Sequence, residues 1–322
     1  PFAVRLPDTA PCRHPLTVRA ESALRPKSAI SPLLLASRAL AAARAVPVVA
    51  TPGYGAPSLF ARLEEPAVDV GADEGGNVFV LTLGPAGWTV HRFAPDGRKE
   101  TTFRGEAPPR QAYASLAVDA DGNCLVRVGP AIEIRDRSGK PIHSWRLPSE
   151  HFPSDAAFLR DGRIVFCFPG RGSVEVFSRD GRREASLVPS GKPFTAPAGV
   201  AVAADGTVAI VEEKGRAWVF RNPGRQWAPA EAVSFEVAYP EEAYHPDLAS
   251  CAFDGTQQIL FPHRSLAAPL AYDIQGRPLM AAEPQRDLSA KGLKEARGSC
   301  STRAALYVLD RGSSAVIRVA RP

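Results

Sequence analysis

From residue 66 to the end of the chain, short apolar runs alternate with polar turns in a fixed order. Ile132 and Ile134 alternate with Glu133 and Arg135, and Val174 and Val176 flank Glu175. The side-chain period there is two, which reads as strand, and no helical period competes with it. The runs are joined by DG-type turns that come in two series. The first series centres on Gly76, Gly122, Gly162, Gly206 and Gly255, spaced by 46, 40, 44 and 49 residues. The second centres on Gly97, Gly139, Gly181, Gly224 and Gly276, which follow the first by 21, 17, 19, 18 and 21 residues. Two turns per unit, each supplying the positive φ that a tight hairpin needs, describe a unit of four short strands. A period of this length is that of a propeller blade.

Five such units are complete, and a sixth, starting at Gly298, stops after its third strand. A ring with an open blade would expose a strand edge. Ser58–Leu63 (SLFARL), just ahead of the first unit, is the natural fourth strand. The pattern therefore predicts an all-β fold, a six-bladed β-propeller whose composite last blade is closed by an N-terminal strand. The propeller is expected over residues 57–322. Residues 1–56 form a Pro/Ala/Arg-rich leader expected to be poorly ordered.

Charge separates the same two regions. The leader holds seven basic and two acidic side chains, so the net charge of +5 resides there and the ring is balanced. A balanced ring offers no basic field for nucleic acid, which is not expected as a partner. No run of about 18 apolar residues is present, so no membrane span is expected. Ala29–Val46 is apolar behind Arg25 and Lys27 but is interrupted by Arg38 and Arg44. An exported or periplasmic location stays open on that segment, beside a plain disordered leader. The five cysteines, Cys12, Cys124, Cys167, Cys251 and Cys300, form no CxxC pair and give no metal-ligand spacing. Cys251 and Cys300 fall in inner strands of neighbouring blades and are expected as free, buried thiols. The four tryptophans fall at scattered points of the repeat and read as blade packing.

Residues 197–220 (PAGVAVAADGTVAIVEEKGRAWVF) resemble an NHL repeat, as do residues 305–319 (ALYVLDRGSSAVIRV). Glu212 and Asp310 occupy the acidic place of that motif. Thr82, Arg127, Cys167 and Phe261 stand near it in the other units. The resemblance implies a ring that binds a protein or a small polar ligand on one face, as a monomer and without a cofactor. Related six-bladed rings include gluconolactonase-like hydrolases and some lyases. They imply the alternative, a metal-dependent hydrolase or lyase with a divalent cation. Such lactonases use an EGP-type glutamate and Asn ligands. This chain has no EGP, and Glu64-Glu65-Pro66 is its nearest acidic-Pro group. The GxSxG elbow, the P-loop and GxGxxG are also absent.

Two loops entering inner strands share His, Pro and Asp: His151-Phe-Pro-Ser-Asp155 before the third unit and His245-Pro-Asp247 before the fifth. Imidazole and carboxylate together can hold a metal or run acid–base chemistry. Loop punctuation by Pro and Asp explains the same residues more plainly. His151, Asp155, His245 and Asp247 are the candidate ligand-binding residues, expected to converge at the mouth of the central channel. Units three and five lie about 120° apart in a ring of six. That separation favours a larger polar ligand over a compact metal site.

Overall fold

The computed structural model describes residues 2–4, 18–20, 58–106, 114–148, 152–189, 193–221, 232–238, 250–254, 258–262, 270–280 and 296–321. Two short strands, β1 (Phe2–Val4) and β2 (Val18–Ala20), pair only with each other. Every other strand belongs to one of six four-stranded antiparallel blades. The chain is a six-bladed β-propeller.

Blade 1 is β4 (Ala67–Ala72), β5 (Val78–Gly84), β6 (Gly87–Phe93) and β7 (Lys99–Gly105). Blade 2 is β8 (Ala114–Val118), β9 (Cys124–Val128), β10 (Ala131–Arg135) and β11 (Pro141–Arg146). Blade 3 is β12 (Asp155–Phe158), β13 (Ile164–Phe168), β14 (Ser173–Phe177) and β15 (Arg183–Leu187). Blade 4 is β16 (Pro197–Val202), β17 (Val208–Glu212), β18 (Arg216–Phe220) and β19 (Ala232–Glu236). Blade 5 is β20 (Ala252–Asp254), β21 (Gln258–Phe261), β22 (Leu270–Asp273) and β23 (Pro278–Met280). Blade 6 joins β24 (Ala296–Ser301), β25 (Ala305–Asp310) and β26 (Ala315–Ala320) to β3 (Ser58–Arg62). The closing register runs Ala315↔Arg62, Val316↔Ala61, Ile317↔Leu59 and Arg318↔Ser58. The two regions of chain expected to close the ring do so.

The turns show why Gly recurs where it does. In the first turn, the Gly76 amide bonds the Asp73 carbonyl, and the Asp73 amide bonds the Asn77 carbonyl. Gly76 has φ +85°, and the only non-glycine with positive φ among the described residues is Ser314. Only the glycine is left-handed, and the residue before it keeps a φ that is not positive. This is a type I turn followed by a Gly bulge. The side chain of Asp73 completes it, its two oxygens accepting from the Asn77 amide (2.8 Å) and the Asn77 side chain (2.7 Å). Asp119 and Asn123 repeat the arrangement at 2.8 and 2.7 Å.

The buried apolar residues form six clusters, each lying between two neighbouring blades rather than within one. A blade buries both faces only inside the ring, and each blade takes part in two of the six clusters. A second contact recurs at the rim. The turn glycines Gly97, Gly139, Gly181 and Gly276 lie against Phe60, Phe103, Trp145 and Phe235, each aromatic coming from the outer strand of the preceding blade. The described tryptophans pack in the same way: Trp145 stacks on Phe177, and Trp88 and Trp218 are buried. Trp227 lies outside the described residues.

Candidate functional site

The inner strands of all six blades converge on an axial cavity of about 180 Å³. Its walls follow from the sequence of those strands. Short side chains such as Gly71, Ala117, Ala157 and Ala201 let the strands approach one another. Where Gly71 faces Val118, an added Cβ would come within 2.6 Å of the valine methyl.

Two carboxylates stand among these small residues. Asp69 and Asp155 each sit four residues before the residue whose amide closes the DG turn, Asp73 and Leu159. They occupy the same place in blades 1 and 3 and form the same bonds. Asp69 accepts from its own neighbour Val70 (2.8 Å) and from Leu116 of blade 2 (2.7 Å). Asp155 accepts from Ala156 (2.8 Å) and from Val200 of blade 4 (2.9 Å). Each carboxylate thus latches its blade to the next at the axis. The corresponding place holds Ser115 in blade 2, Gly199 in blade 4, Ser250 in blade 5 and Gly298 in blade 6.

The electrostatics oppose full ionisation. Burial pushes the Asp69 carboxyl up to about 6, against the lowering effect of its two amide bonds and of Arg127. Burial and repulsion by Asp69 push Asp155 up to about 8. Arg127, on β9 opposite Ser115, is only 1% exposed. Its Nε donates to the Ser115 hydroxyl at 3.0 Å and an Nη to the Gly129 carbonyl at 3.4 Å. Burial lowers it to about 10, while Asp155 and Asp69 raise it, so the guanidinium stays charged beside the pair. Of the expected site residues, Asp155 therefore reaches the axis. His151, His245 and Asp247 lie outside the described residues. Asp69 and Arg127 are additions that alignment of the blades on their turns reveals.

The channel thiols are free. Cys251 lies buried just ahead of β20, Cys300 is half-buried on β24, and neither is in a disulfide. Burial first, then Asp155, raises the Cys251 thiol well above its ordinary value, and burial with Asp69 does the same to Cys300. Neither is a thiolate nucleophile at neutral pH. No group of three or more His, Cys, Asp or Glu side chains placed to hold a metal occurs among the described residues.

A second polar group lies at the seam between blades 6 and 1. The Thr82 hydroxyl donates to Glu65 Oε2 at 2.9 Å and lies 3.2 Å from His91 Nε2. With that proton directed to Glu65, His91 donates through Nε2 and its Nδ1 is the bare acceptor. Nδ1 has no partner among the described residues. Burial, then Lys99, lowers the imidazole to about 4. The carboxylate bonds the hydroxyl rather than the imidazole, so this is not the order of a nucleophilic triad. Glu65 instead ties the segment ahead of β4 to β5. Glu212 does the same in blade 4, accepting from the Thr195 amide ahead of β16 (2.7 Å), whereas Asp310 accepts from Ser313 within its own turn.

No protein-family model matches this sequence, and no curated protein matches it. Solved structures do. A streptogramin B lyase shares 12% identity over 83% of this chain and 97% of its own, with a TM-score of 0.58. A calcium-binding protein, regucalcin, from Agrobacterium tumefaciens shares 15% over 85% and 95%, with a TM-score of 0.59. A gluconolactonase from Xanthomonas campestris shares 17% over 83% and 89%, with a TM-score of 0.56. At these identities the likeness is one of fold alone, the six-bladed β-propeller.

Proposed function

We propose that this chain is a non-catalytic, NHL-like propeller that binds a small polar ligand at the axial end of the ring, as a monomer. The observation that carries this reading is the axial cavity itself, to which all six inner strands contribute and in which Asp69 and Asp155 stand. Both acids are engaged in latching blades through backbone amides, which suits a binding wall better than a reactive centre. The exposed large apolar side chains among the described residues, Leu59, Ile142, Phe152 and Val188, are spread over three blades, which favours a small ligand over a protein. To Asp69 and Asp155 we add His151, His245 and Asp247, which lie outside the described residues, as candidate ligand contacts. No helix among the described residues is long and apolar enough to cross a membrane.

The test is a thermal-shift panel of small amines, polyols, sugars and carboxylic acids on the full chain, followed by calorimetry. At least one class is expected to raise the Tm. The variant with His245→Ala and Asp247→Ala is expected to fold normally, since surface-loop changes cost under about 0.5 kcal/mol, and to lose the shift.

A second reading, a hydrolase or lyase using a divalent cation, draws on one observation. Asp155 is held protonated near neutral pH, as a general acid must be. Turnover of lactones that depends on an added divalent cation and is lost in His151→Ala would replace the first reading with this one.

A further inference from the structure

The nature of the ligand can be argued from the cavity, and this step rests on the ring-binding reading above. Two carboxylates and one guanidinium, all ionised, would leave one negative charge on buried side chains. Such a charge is costly unless it is paired. A proton on one of the two carboxyls removes it. A singly charged cation would remove it equally well.

An independent feature specifies what kind of cation. Ser299 lines the same cavity and is 9% exposed, and its hydroxyl has no hydrogen-bond partner among the described residues. Its neighbour Ser301 already donates to the Phe253 carbonyl across the blade 5 boundary. A buried hydroxyl without a partner is destabilising, and here its lone pairs add to those the carboxylates retain. The cavity wall therefore carries acceptors from blades 1, 3 and 6. Its volume of about 180 Å³ is below the roughly 300–1,000 Å³ of drug-sized sites, which restricts the occupant to a few heavy atoms. An ion with three N–H donors and a short apolar tail matches such a set of acceptors among alanines and valines.

We propose that the axial cavity binds a small primary ammonium ion, and that its binding expels one proton from the Asp69 and Asp155 carboxyls. The exchange balances: R–NH₃⁺ enters, one proton leaves to solvent, and no covalent bond of the ligand changes. The titratable groups facing the pair are Arg127 from β9, Cys167 from β13, Cys251 ahead of β20 and Cys300 from β24. Arg127 stays charged and the thiols stay protonated, so the carboxylate pair alone supplies the proton.

The test is calorimetry of ethylammonium chloride against the full chain, in two buffers of different ionisation enthalpy. Release of about one proton is expected near pH 6.5, with affinity rising at least tenfold by about pH 8.5. Tetramethylammonium, of the same charge but without N–H donors, is expected to bind at least tenfold more weakly. Ser299→Ala is expected to weaken ethylammonium several-fold while the Tm of the free chain is unchanged or raised. Asp155→Asn is expected to abolish the proton release; should that variant misfold, Ser299→Ala and the buffer dependence decide. Absence of ethylammonium binding at about 50 mM, binding without proton release, or equal affinity for tetramethylammonium would each overturn the proposal. If polyols or acids bind and ethylammonium does not, the ring-binding reading stands and this one falls. If nothing in the panel binds, both fall.

Discussion

Asp155 accepts the Val200 amide across a blade boundary at 2.9 Å while burial and Asp69 hold its carboxyl up to about 8. The bond and the proton pull in opposite directions, and stability should show it. Between the ordinary carboxylate value and about 8, the folded chain binds more protons than the unfolded one at this site. Stability from this group is therefore greatest near pH 4 and falls as pH rises through about 8. Denaturant unfolding along that range is expected to show the decline, and Asp155→Asn to flatten it. A wild-type profile that rises steadily from pH 6.5 to 8, above the range in which His91 titrates, would contradict the assignment. Asp155→Ala is expected to cost about 1–3 kcal/mol for each backbone amide it leaves without an acceptor, offset in part by relief of the repulsion on Asp69.

Gly181 is expected to be irreplaceable for two reasons that add. Its φ is +90°, and a Cβ there would meet the Trp145 ring at 2.5 Å. Trp145 is fixed, because it stacks on Phe177 and donates to the Arg179 carbonyl. Gly181→Ala should cost roughly 2–4 kcal/mol. Gly170, with nothing within 4 Å of its Cβ position, is the control, and Gly170→Ala should stay within about 0.5 kcal/mol. Equal unfolding midpoints for the two variants would show that the rim contact bears no weight.

The ring was legible because its information is local and repeated. A DG pair must turn, and two turn series at fixed offsets leave room for four strands per unit. Even closure was legible, as a strand missing at one end and present at the other. The site was less so. Asp155 stood out beside His151, whereas Asp69 sits in AVDVGAD, where a second aspartate four residues on belongs to the turn. Arg127 reads as a departure from the acidic place of its repeat. In register it opposes Ser115, while Leu81, Cys167, Val211 and Leu309 fill the matching place in other blades. Whether a charge at such a place turns to solvent or to the axis depends on what neighbouring blades bring there, and a single strand does not encode it.

Closure predicts a sharp boundary for truncation. Removing residues 1–56 leaves β3 intact, and the ring is expected to keep its Tm within a few degrees. Removing residues 1–65 deletes β3 together with Leu63 and Glu65. That strips β26 of its partner and blade 1 of the carboxylate that Thr82 bonds. An open β26 edge is a template for pairing with other chains. The shorter chain is expected to unfold at lower temperature and to aggregate in a concentration-dependent way, followed by light scattering. Coincident melting curves for the two truncations would refute closure by β3.

His91 supplies the acid-side counterpart of Asp155. Its imidazole is lowered to about 4, chiefly by burial and next by Lys99, with Glu65 opposing. Between about 4 and 6.5 the unfolded chain therefore binds more protons at this residue than the folded one. Stability from His91 is present above 6.5 and is lost as pH falls through that window, opposite in sign to the Asp155 contribution. The loss amounts to roughly 1–2 kcal/mol once solvent screening at a partly open site is allowed for. His91→Gln keeps a donor for the Thr82 hydroxyl and cannot titrate, so it should remove this acid limb while leaving the Asp155 decline at higher pH. Proton NMR of the imidazole ring gives the direct check. A His91 resonance that titrates near 6.5 in the folded chain would mean that the seat beside Thr82 is open to water and that the acid limb has another origin.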